Sequence, residues 1–376
     1  MIHYLIGLVI GLFISYIVGI NVYFSMATIA VALLLLMLIF KRKDLEVHNP
    51  INEKVCIIIP AYNEEKTIYK SLESALKQDY KNYYIVVVDD NSKDNTYEVA
   101  MRYKEKHPDK VFVVKNEINK GKIKNLLYTT KNFPADIYLI IDADNEIPKN
   151  YVSYYVSKMK DIDMLETPIS GYNANTNFST AIHTVELLLM SFIRTINFWS
   201  SFTGRGMFIR REVFDYIRTL NYKGIDDGAL MNSVASTGKF KWFHPDGIPL
   251  KEYATENFKE LIYQRFRWYG FGVHEAISGK AHDIVVGFGL ETGILGGMLV
   301  FGIAFGSWHA FIYGFLLSAA ILLSVYLSKY YKTPMSFEKI IVSVVFILLF
   351  LPVLIVVSIL RVMFRKEKSW YKVSKK

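Results

Sequence analysis

Long apolar blocks lie at both ends of the chain and enclose a middle region of mixed polarity. The apolar runs are 2–20, 22–40, 284–305, 307–327 and 339–360. Each run approaches the roughly 20 residues that a membrane-spanning helix needs. The pattern therefore predicts a transmembrane hairpin at 1–40 and C-terminal membrane segments at 284–360, with a water-exposed domain between them.

Short apolar runs alternate with helical patterns in the first half of the middle region. The predicted strands are Val55–Ile59, Tyr84–Val88, Val111–Val114 and Ile137–Ile141. One predicted helix begins at Glu64, and the other two are Thr96–Lys106 and Lys122–Asn132. Strands that are apolar without alternation are typical of a parallel sheet that is covered on both faces. We expect an α/β domain with a mainly parallel sheet and helices on both faces.

The second half of the middle region is less regular. It contains an amphipathic run near Thr184–Ile196, a turn at Gly204-Arg205-Gly206, a short helix between Gly224 and Gly238, a strand at Gly238–Phe243 and an amphipathic segment at Phe258–Gly279. We predict a catalytic or binding domain at 50–250, amphipathic interfacial helices at 251–283 and a basic tail at 361–376.

Charge and cysteine content narrow the class of protein. The net charge is +9, and much of the excess lies beside the apolar blocks, at Lys41-Arg42-Lys43 and in the tail. Cations at these positions indicate contact with anionic lipids of the cell membrane. They also indicate that the middle domain lies on the cytoplasmic side of that membrane. The middle region shows no basic stripe, so nucleic acid is not an expected partner. The single cysteine, Cys56, lies in a predicted strand and is expected in the core.

Polar residues directly follow three of the predicted strands. Tyr62 follows the first strand, Asp89-Asp90 the second, and Asp142-Ala143-Asp144 the fourth. Ligands of parallel α/β sheets bind beyond the carboxyl ends of the strands, where these residues would meet. Two carboxylates at such a place can hold Mg²⁺ or Mn²⁺. Turn formation and solvated loop acids explain the same residues equally well.

Two further motifs lie nearer the C-terminal apolar block. In Gln264-Arg265-Phe266-Arg267-Trp268, a helix would put Gln264, Arg267 and Trp268 on one face. A guanidinium can clamp a diphosphate, and an indole can stack on a sugar. The alternative is an interfacial helix with a tryptophan belt. Asp226-Asp227 opens the short predicted helix and could be an N-cap alone.

The order of these motifs between two apolar blocks resembles the processive branch of family 2 glycosyltransferases, the group of cellulose, chitin and hyaluronan synthases. The resemblance covers residues 53–280, and the QxxRW pentad at 264–268 is its most specific part. It implies a GT-A fold that is flanked by transmembrane helices. It also implies a cytosolic nucleotide-sugar site and an inverting mechanism.

The resemblance implies donor-side roles for five residues. Tyr62 would lie against the nucleobase and Asp90 would bind it. Lys122 would face the donor, Asp142 would lie near the ribose and diphosphate, and Asp144 would ligate a divalent cation, Mg²⁺ or Mn²⁺. The expected donor is a UDP-sugar.

Catalytic and acceptor-side roles follow from the same resemblance. Asp227 would be the catalytic base, and Arg267 would stabilise the leaving diphosphate. Trp268 and Gln264 would lie on the acceptor side, and the turn at Gly204-Arg205-Gly206 lies where the family has its acceptor-side loop. Asp226 stands where the family motif usually has Glu.

The expected activity is sugar transfer by a membrane-bound, inverting enzyme to a growing polysaccharide. Because the C-terminal block offers at most three spans, single-sugar transfer to a lipid acceptor is the alternative. A non-catalytic membrane binding protein or transporter is a third interpretation. It has thin support, since Glu291 is the only acid in the apolar runs.

Overall fold

The computed structural model describes most of the middle region and part of the C-terminal block. The described residues are 45, 48, 52–195, 197, 200, 202–220, 227–277, 320–321, 323–347, 350 and 357. The predicted hairpin at 1–40, the segment at 284–305, the tail at 361–376 and Asp226 lie outside them, as do parts of the segments at 307–327 and 339–360. Within the described part, no helix has the length and apolar character to cross a membrane.

A seven-stranded sheet forms the centre of the domain, with the strand order β3-β2-β1-β4-β8-β6-β9. Its strands are β1 Val55–Ala61, β2 Tyr83–Asp89, β3 Val111–Lys115, β4 Ile137–Ile140, β6 Met164–Glu166, β8 Met207–Arg210 and β9 Trp242–Phe243. The four strands β3, β2, β1 and β4 are parallel, as predicted. β8 then pairs antiparallel with both β4 and β6, which makes the sheet mixed.

Alternate residues of β1 enter two separate cores, because successive side chains of a strand point to opposite faces. Ile57 and Ile59 lie in one apolar cluster with helical residues such as Leu72. Ile58 lies in the other cluster, with helical residues such as Phe214. The prediction of helices on both faces is therefore confirmed.

The helices agree closely with the sequence pattern in the first half of the domain. They are α1 Ile68–Leu76, α2 Thr96–Lys106, α3 Lys122–Asn132, α4 Tyr151–Val156, α5 Phe178–Arg194, α6 Arg211–Thr219, α7 Asp227–Ala235 and α8 Phe258–Ile277. The bounds of α2 and α3 are those predicted.

The expected start of the first helix at Glu64 was wrong. Asn63 has a positive φ of 59°, which takes the chain out of the helical region before Glu64. The amides of Glu64 and Glu65 then donate to Thr96 Oγ1 and Asp94 Oδ2, at 2.7 and 3.2 Å. These bonds tie the loop after β1 to the loop after β2, and α1 begins only at Ile68.

The second half of the domain is more regular than its sequence indicates. A small sheet with the order β5-β10-β7 consists of Asn145–Glu146, Leu250–Glu252 and Ile169–Gly171. Helix α5 begins six residues before the predicted amphipathic run, and most of its side chains are buried. The strand predicted at Gly238–Phe243 is reduced to the two residues of β9.

The pentad 264–268 lies on α8, which packs against α5. Leu261 of α8 shares an apolar cluster with Val185 of α5 and with Ile340 and Val344 from the C-terminal part. Buried Asp246 accepts hydrogen bonds from the hydroxyl groups of Tyr330 and Tyr331, at 2.8 and 3.2 Å. The chain that follows the predicted segment at 307–327 is therefore bonded directly to the α/β domain.

Candidate active site

The predicted donor residues follow the carboxyl ends of the parallel strands. Tyr62 comes directly after β1, Asp90 after β2, and Asp142 and Asp144 shortly after β4. Because β1, β2 and β4 are parallel neighbours, these ends lie along one edge of the sheet. The structure thus confirms that the sheet brings these positions to a common edge.

Asp90 holds the loop that precedes α3. Its buried carboxylate accepts hydrogen bonds from the amides of Lys120 and Gly121, at 2.8 and 2.9 Å, and from Asn116 Nδ2 at 2.9 Å. Gly121 has a φ of +85°, which favours glycine. These bonds position the start of α3 and therefore Lys122. No local sequence pattern indicates this role, and base binding by Asp90 stays a prediction.

Lys122, Asp142 and Asp227 form what we call the Lys122 cluster. The Lys122 ammonium lies 2.6 Å from Asp142 Oδ1 and 2.9 Å from Asp227 Oδ2. Burial alone would lower the pKa of Lys122, but the two carboxylates outweigh it and raise the pKa above its ordinary value. The cluster therefore joins a fixed cation to a predicted donor residue and to the predicted base.

The turn at Gly204 closes the Lys122 cluster from the other side. The Gly204 carbonyl accepts a third bond from Lys122 Nζ, at 2.8 Å. Gly204 has a φ of +93°, and a Cβ atom there would lie 2.6 Å from Asp227 Oδ2. Only glycine fits this close approach. The acceptor-side loop predicted from sequence thus lies directly against Asp227.

The carboxylates of Asp142 and Asp144 fit a hard divalent cation that completes its coordination shell with substrate oxygens. The described residues contain no group of three or more His, Cys, Asp or Glu side chains placed to hold a metal. Asp144 Oδ1 accepts from Asn145 Nδ2 at 3.1 Å, and Asp142 is bonded to Lys122. Mg²⁺ typically uses one or two carboxylates and completes its shell with phosphate oxygens and water. Two carboxylates satisfy that requirement.

A second charged group, absent from the sequence-based predictions, lies behind the Gly204 turn. Arg205 Nε is 2.5 Å from Glu252 Oε2, and His183 Nε2 is 3.3 Å from the other oxygen of Glu252. All three residues are buried. Burial would raise the pKa of Glu252, but Arg205 and His183 outweigh it and lower it to about 2. Glu252 is thus a permanent anion at neutral pH.

Trp268 lies among cations. Its ring centroid is 4.4 Å from the guanidinium carbon of Arg265 and 5.2 Å from that of Arg205. Arg265 in turn lies 2.5 Å from Glu186 Oε2 and donates to Gln264 Oε1 at 2.7 Å. The rings of His183 and Trp268 meet edge to face at 5.9 Å. We call Trp268, its two Arg–Glu pairs and His183 the Trp268 cluster.

The structure brings the predicted site residues into two neighbouring groups. In the first group, Lys122 contacts both Asp142 and Asp227. In the second, Gln264 and Trp268 both contact Arg265 of the Trp268 cluster. Tyr62 and Arg267 are both partly buried, and their roles stay predictions. Sequence reasoning missed Glu186, Glu252, His183 and Arg205 as site residues, although the turn that contains Arg205 was noted.

Comparisons with protein families agree with the fold. The model described as Glycosyl transferase family group 2 matches residues 137–360, more than half of the chain, and Glycosyl transferase family 2 matches 56–217. The chain belongs to the family 2 glycosyltransferases. Membership of family 2 and the GT-A-type α/β domain are thereby confirmed, while the processive branch stays a prediction.

One curated relative is similar over most of its length. This is the UDP-Glc:alpha-D-GlcNAc-diphosphoundecaprenol beta-1,3-glucosyltransferase WfaP of Escherichia coli, 44% identical over 257 residues that cover 62% of this chain and 90% of the relative. Poly-beta-1,6-N-acetyl-D-glucosamine synthase of Staphylococcus epidermidis is 30% identical over 29% of this chain and 26% of its own length. Other curated relatives match more partially, since the chain spans from 21% to 54% of their lengths.

A solved structure shares the fold. The mannosyltransferase PcManGT from Pyrobaculum calidifontis, in complex with GDP-Man and Mn²⁺, aligns with a TM-score of 0.55 over 92% of this chain and 96% of its own. The sequence identity is 18%, so the comparison supports the architecture alone.

Proposed function

We propose that this chain is a membrane-bound, inverting glycosyltransferase that moves a single sugar from a nucleotide-diphospho-sugar to a sugar carried on a lipid diphosphate. The observation that carries the proposal is the Lys122 cluster, which joins a donor-side carboxylate and a candidate base through one ammonium. The 44% identity to a relative with such an acceptor, over 90% of that relative, supports the acceptor class.

Asp227 is the proposed general base. The acceptor hydroxyl oxygen attacks the anomeric carbon while the bond from that carbon to the diphosphate oxygen breaks. The hydroxyl proton passes to the Asp227 carboxylate, as in general base catalysis. Asp227 begins α7 and is buried against Gly204, so its position is determined by the fold.

Lys122 has two functions in this mechanism. Before the donor binds, its ammonium offsets the negative charges of Asp142 and Asp227, which otherwise would repel an anionic diphosphate. In the reaction, Lys122 and Arg267 would stabilise charge on the leaving nucleoside diphosphate. A divalent cation held by Asp144 and Asp142 would supply further charge neutralisation there when bound.

The remaining predicted residues would orient the two substrates. Tyr62 and Asp90 would bind the nucleobase, while Trp268 and Gln264 would position the acceptor sugar. A UDP-sugar is the proposed donor, in line with the donor in the name of the Escherichia coli relative. The apolar blocks and their flanking cations support a location in the cell membrane with the catalytic domain on the cytoplasmic side.

Polysaccharide elongation is the second candidate function. The QxxRW pentad and the similarity to a poly-N-acetylglucosamine synthase favour it. That similarity extends over only 29% of this chain, which is why we place it second. Family membership favours either enzyme over a non-catalytic membrane protein.

A product analysis separates these functions. Membranes with the full chain are incubated with radiolabelled UDP-sugars and a synthetic lipid that carries diphosphate-linked N-acetylglucosamine. We expect one label per lipid, extractable into organic solvent, and no transfer by Asp227→Asn. Asp215→Asn, at a half-exposed site on α6, is the matched control. A ladder of long products would favour the polysaccharide synthase, and the absence of any labelled product with every donor would contradict both functions.

A further inference from the structure

Arg205 directly follows Gly204, the glycine that lies against the candidate base Asp227. Backbone amides on both sides of Arg205 are hydrogen-bonded to other parts of the domain. The amide of Thr203 donates to Glu166 Oε1 at 2.7 Å, and the amide of Gly206 donates to the carbonyl of Ile140 at 2.8 Å. The carbonyl of Gly204 is bonded to Lys122. The turn is therefore rigid, and Arg205 has little freedom to leave the site.

Buried Glu252 anchors the guanidinium of Arg205. The ion pair is 2.5 Å long, and its two side chains are 9% and 5% exposed. His183 donates from Nε2 towards Glu252, because its Nδ1 accepts the amide hydrogen of Thr255 at 3.1 Å. A buried arginine without its carboxylate would be strongly destabilising, so Glu252 is what allows a cation at this place.

Arg205 lies close to the donor side of the site, because the preceding residue, Gly204, accepts a hydrogen bond from Lys122 and lies against Asp227. Burial would lower its pKa, but Glu252, Asp142, Glu166 and Asp144 outweigh this and raise it. Two of these carboxylates, Asp142 and Asp144, belong to the predicted donor and metal position. A diphosphate placed there meets negative charge, and one ammonium from Lys122 cannot offset it alone.

We propose that Arg205 binds the diphosphate of the donor nucleotide, and that Glu252 is the positioning residue that holds its guanidinium in place. This inference rests on the proposed function only in taking a nucleoside diphosphate as the leaving group. Arg205 would form charge-assisted hydrogen bonds to phosphate oxygens from the side of the acceptor turn, opposite to α3. Contact with the Trp268 ring keeps the guanidinium plane oriented.

Nucleotide binding to the purified full chain tests this proposal. Wild type is first titrated calorimetrically with UDP, GDP, CDP, ADP and TDP in the presence of Mg²⁺, and the tightest ligand is used afterwards. Arg205→Gln is expected to weaken its binding about 10- to 100-fold, the range for loss of a hydrogen bond to a charged group. Binding of the corresponding free nucleoside, measured by ligand-detected NMR, should be unchanged.

The double variant Arg265→Gln/Glu186→Gln is the matched control, because Arg265 is the other buried arginine against Trp268 and the pair is removed without an unpaired buried charge. It should change diphosphate affinity less than about twofold, as expected for residues without a ligand contact. Equal losses for this control and for Arg205→Gln would overturn the proposal and assign Arg205 to support of Trp268. Equal losses of nucleoside and diphosphate binding by Arg205→Gln, or no binding of any of the five by wild type, would overturn it too.

Glu252→Gln tests the positioning role separately. It should weaken diphosphate binding as Arg205→Gln does, and the double variant Arg205→Gln/Glu252→Gln should lose no more than either, because both act through one contact. The double variant also leaves no buried unpaired charge, so it keeps the test valid if Arg205→Gln does not fold. Additive losses would exclude Glu252 as the anchor. If the nucleotide-binding results are as expected but no sugar is transferred to the lipid acceptor, the proposed acceptor is refuted. The role of Arg205 in diphosphate binding then still holds.

Discussion

The Lys122 cluster and the Trp268 cluster use the same types of charged group in different surroundings. In the first, the Lys122 and Asp142 side chains are 24% and 34% exposed, while Asp227 is 11% exposed. In the second, Arg265 and Glu252 are 3% and 5% exposed, and each has a buried partner of opposite charge. Partly exposed charges can exchange partners with a substrate at modest cost, whereas a buried charge that loses its partner costs several kcal/mol.

This difference assigns separate tasks to the two clusters. The Lys122 cluster is suited to chemistry, because the proton and the leaving group need groups that can rearrange. The Trp268 cluster is suited to maintaining shape, because its pairs join α5, α8 and the small sheet. Arg205 is the exception. It pairs with Glu252 in the buried cluster, but its positive charge also interacts with Asp142 and Asp144 on the donor side.

The largest expected effect is on the reaction itself. Asp227→Asn should lower the rate of sugar transfer by about 10²–10⁴-fold, because the amide cannot accept the acceptor proton. Nucleoside diphosphate affinity should stay within about threefold, since the amide fills the same volume against Gly204. Transfer rates and calorimetry measure the two quantities. A variant that retains a tenth of the wild-type rate would show that another group is the base.

Breaking the second buried pair should affect stability instead. Glu186→Gln leaves Arg265 without its carboxylate, and we expect a loss of about 3–5 kcal/mol in the free energy of unfolding. The double variant Glu186→Gln/Arg265→Met should recover part of this loss, since no charge then stays buried. Thermal unfolding in detergent gives the comparison. Wild-type stability of Glu186→Gln would disprove the structural task of this pair.

The sequence revealed the charges of the Lys122 cluster but not those of the Trp268 cluster. Asp142 and Asp227 stand out because they follow a strand or open a helix, and such positions are local signals. Glu186 and Arg265 are 79 residues apart, and neither differs locally from a solvated helix residue. Pairing at that distance arises from the packing of α5 on α8, which a single sequence does not specify.

The fold shows the same division between local and long-range information. Continuous apolar runs identified the four parallel strands, because burial on both faces leaves a local pattern. The antiparallel strands β6 and β8 have three and four residues and were not predicted. Strands so short carry too few positions for a period to appear, and they form because β4 offers β8 an edge.

Acid should remove the stability that the Glu252 carboxylate contributes to the Trp268 cluster. The pKa of Glu252 falls from an ordinary value of 4.5 to about 2 in the folded protein. A carboxyl whose folded pKa is lowered stabilises the fold above its unfolded pKa, and this stability is lost as the pH falls from about 4.5 towards 2. The shift corresponds to about 3 kcal/mol.

Glu252→Gln isolates that contribution. Burial and Arg265 also lower the pKa of His183, and Glu252 partly opposes this, so the comparison is made in a His183→Gln background that removes the second titration. In that background we expect the melting temperatures with and without Glu252→Gln to differ most at pH 6 and to converge as the pH approaches 3. A constant difference between pH 6 and pH 3 would contradict the lowered pKa of Glu252.

The smallest expected effect, at Trp268, tests the division between the clusters most directly. Its ring is partly exposed although it contacts Arg205 and Arg265, so one part of the indole stays accessible to an acceptor sugar. If the ring aligns the acceptor hydroxyl for attack, Trp268→Ala should lower transfer about tenfold more than donor hydrolysis by water, because water needs no such alignment. Release of nucleoside diphosphate with and without the lipid acceptor measures both rates.

Arg267→Ala, which removes a proposed leaving-group contact, should lower both rates alike. Equal losses of both rates in Trp268→Ala would show that the ring only supports the buried arginines, and the whole Trp268 cluster would then be structural.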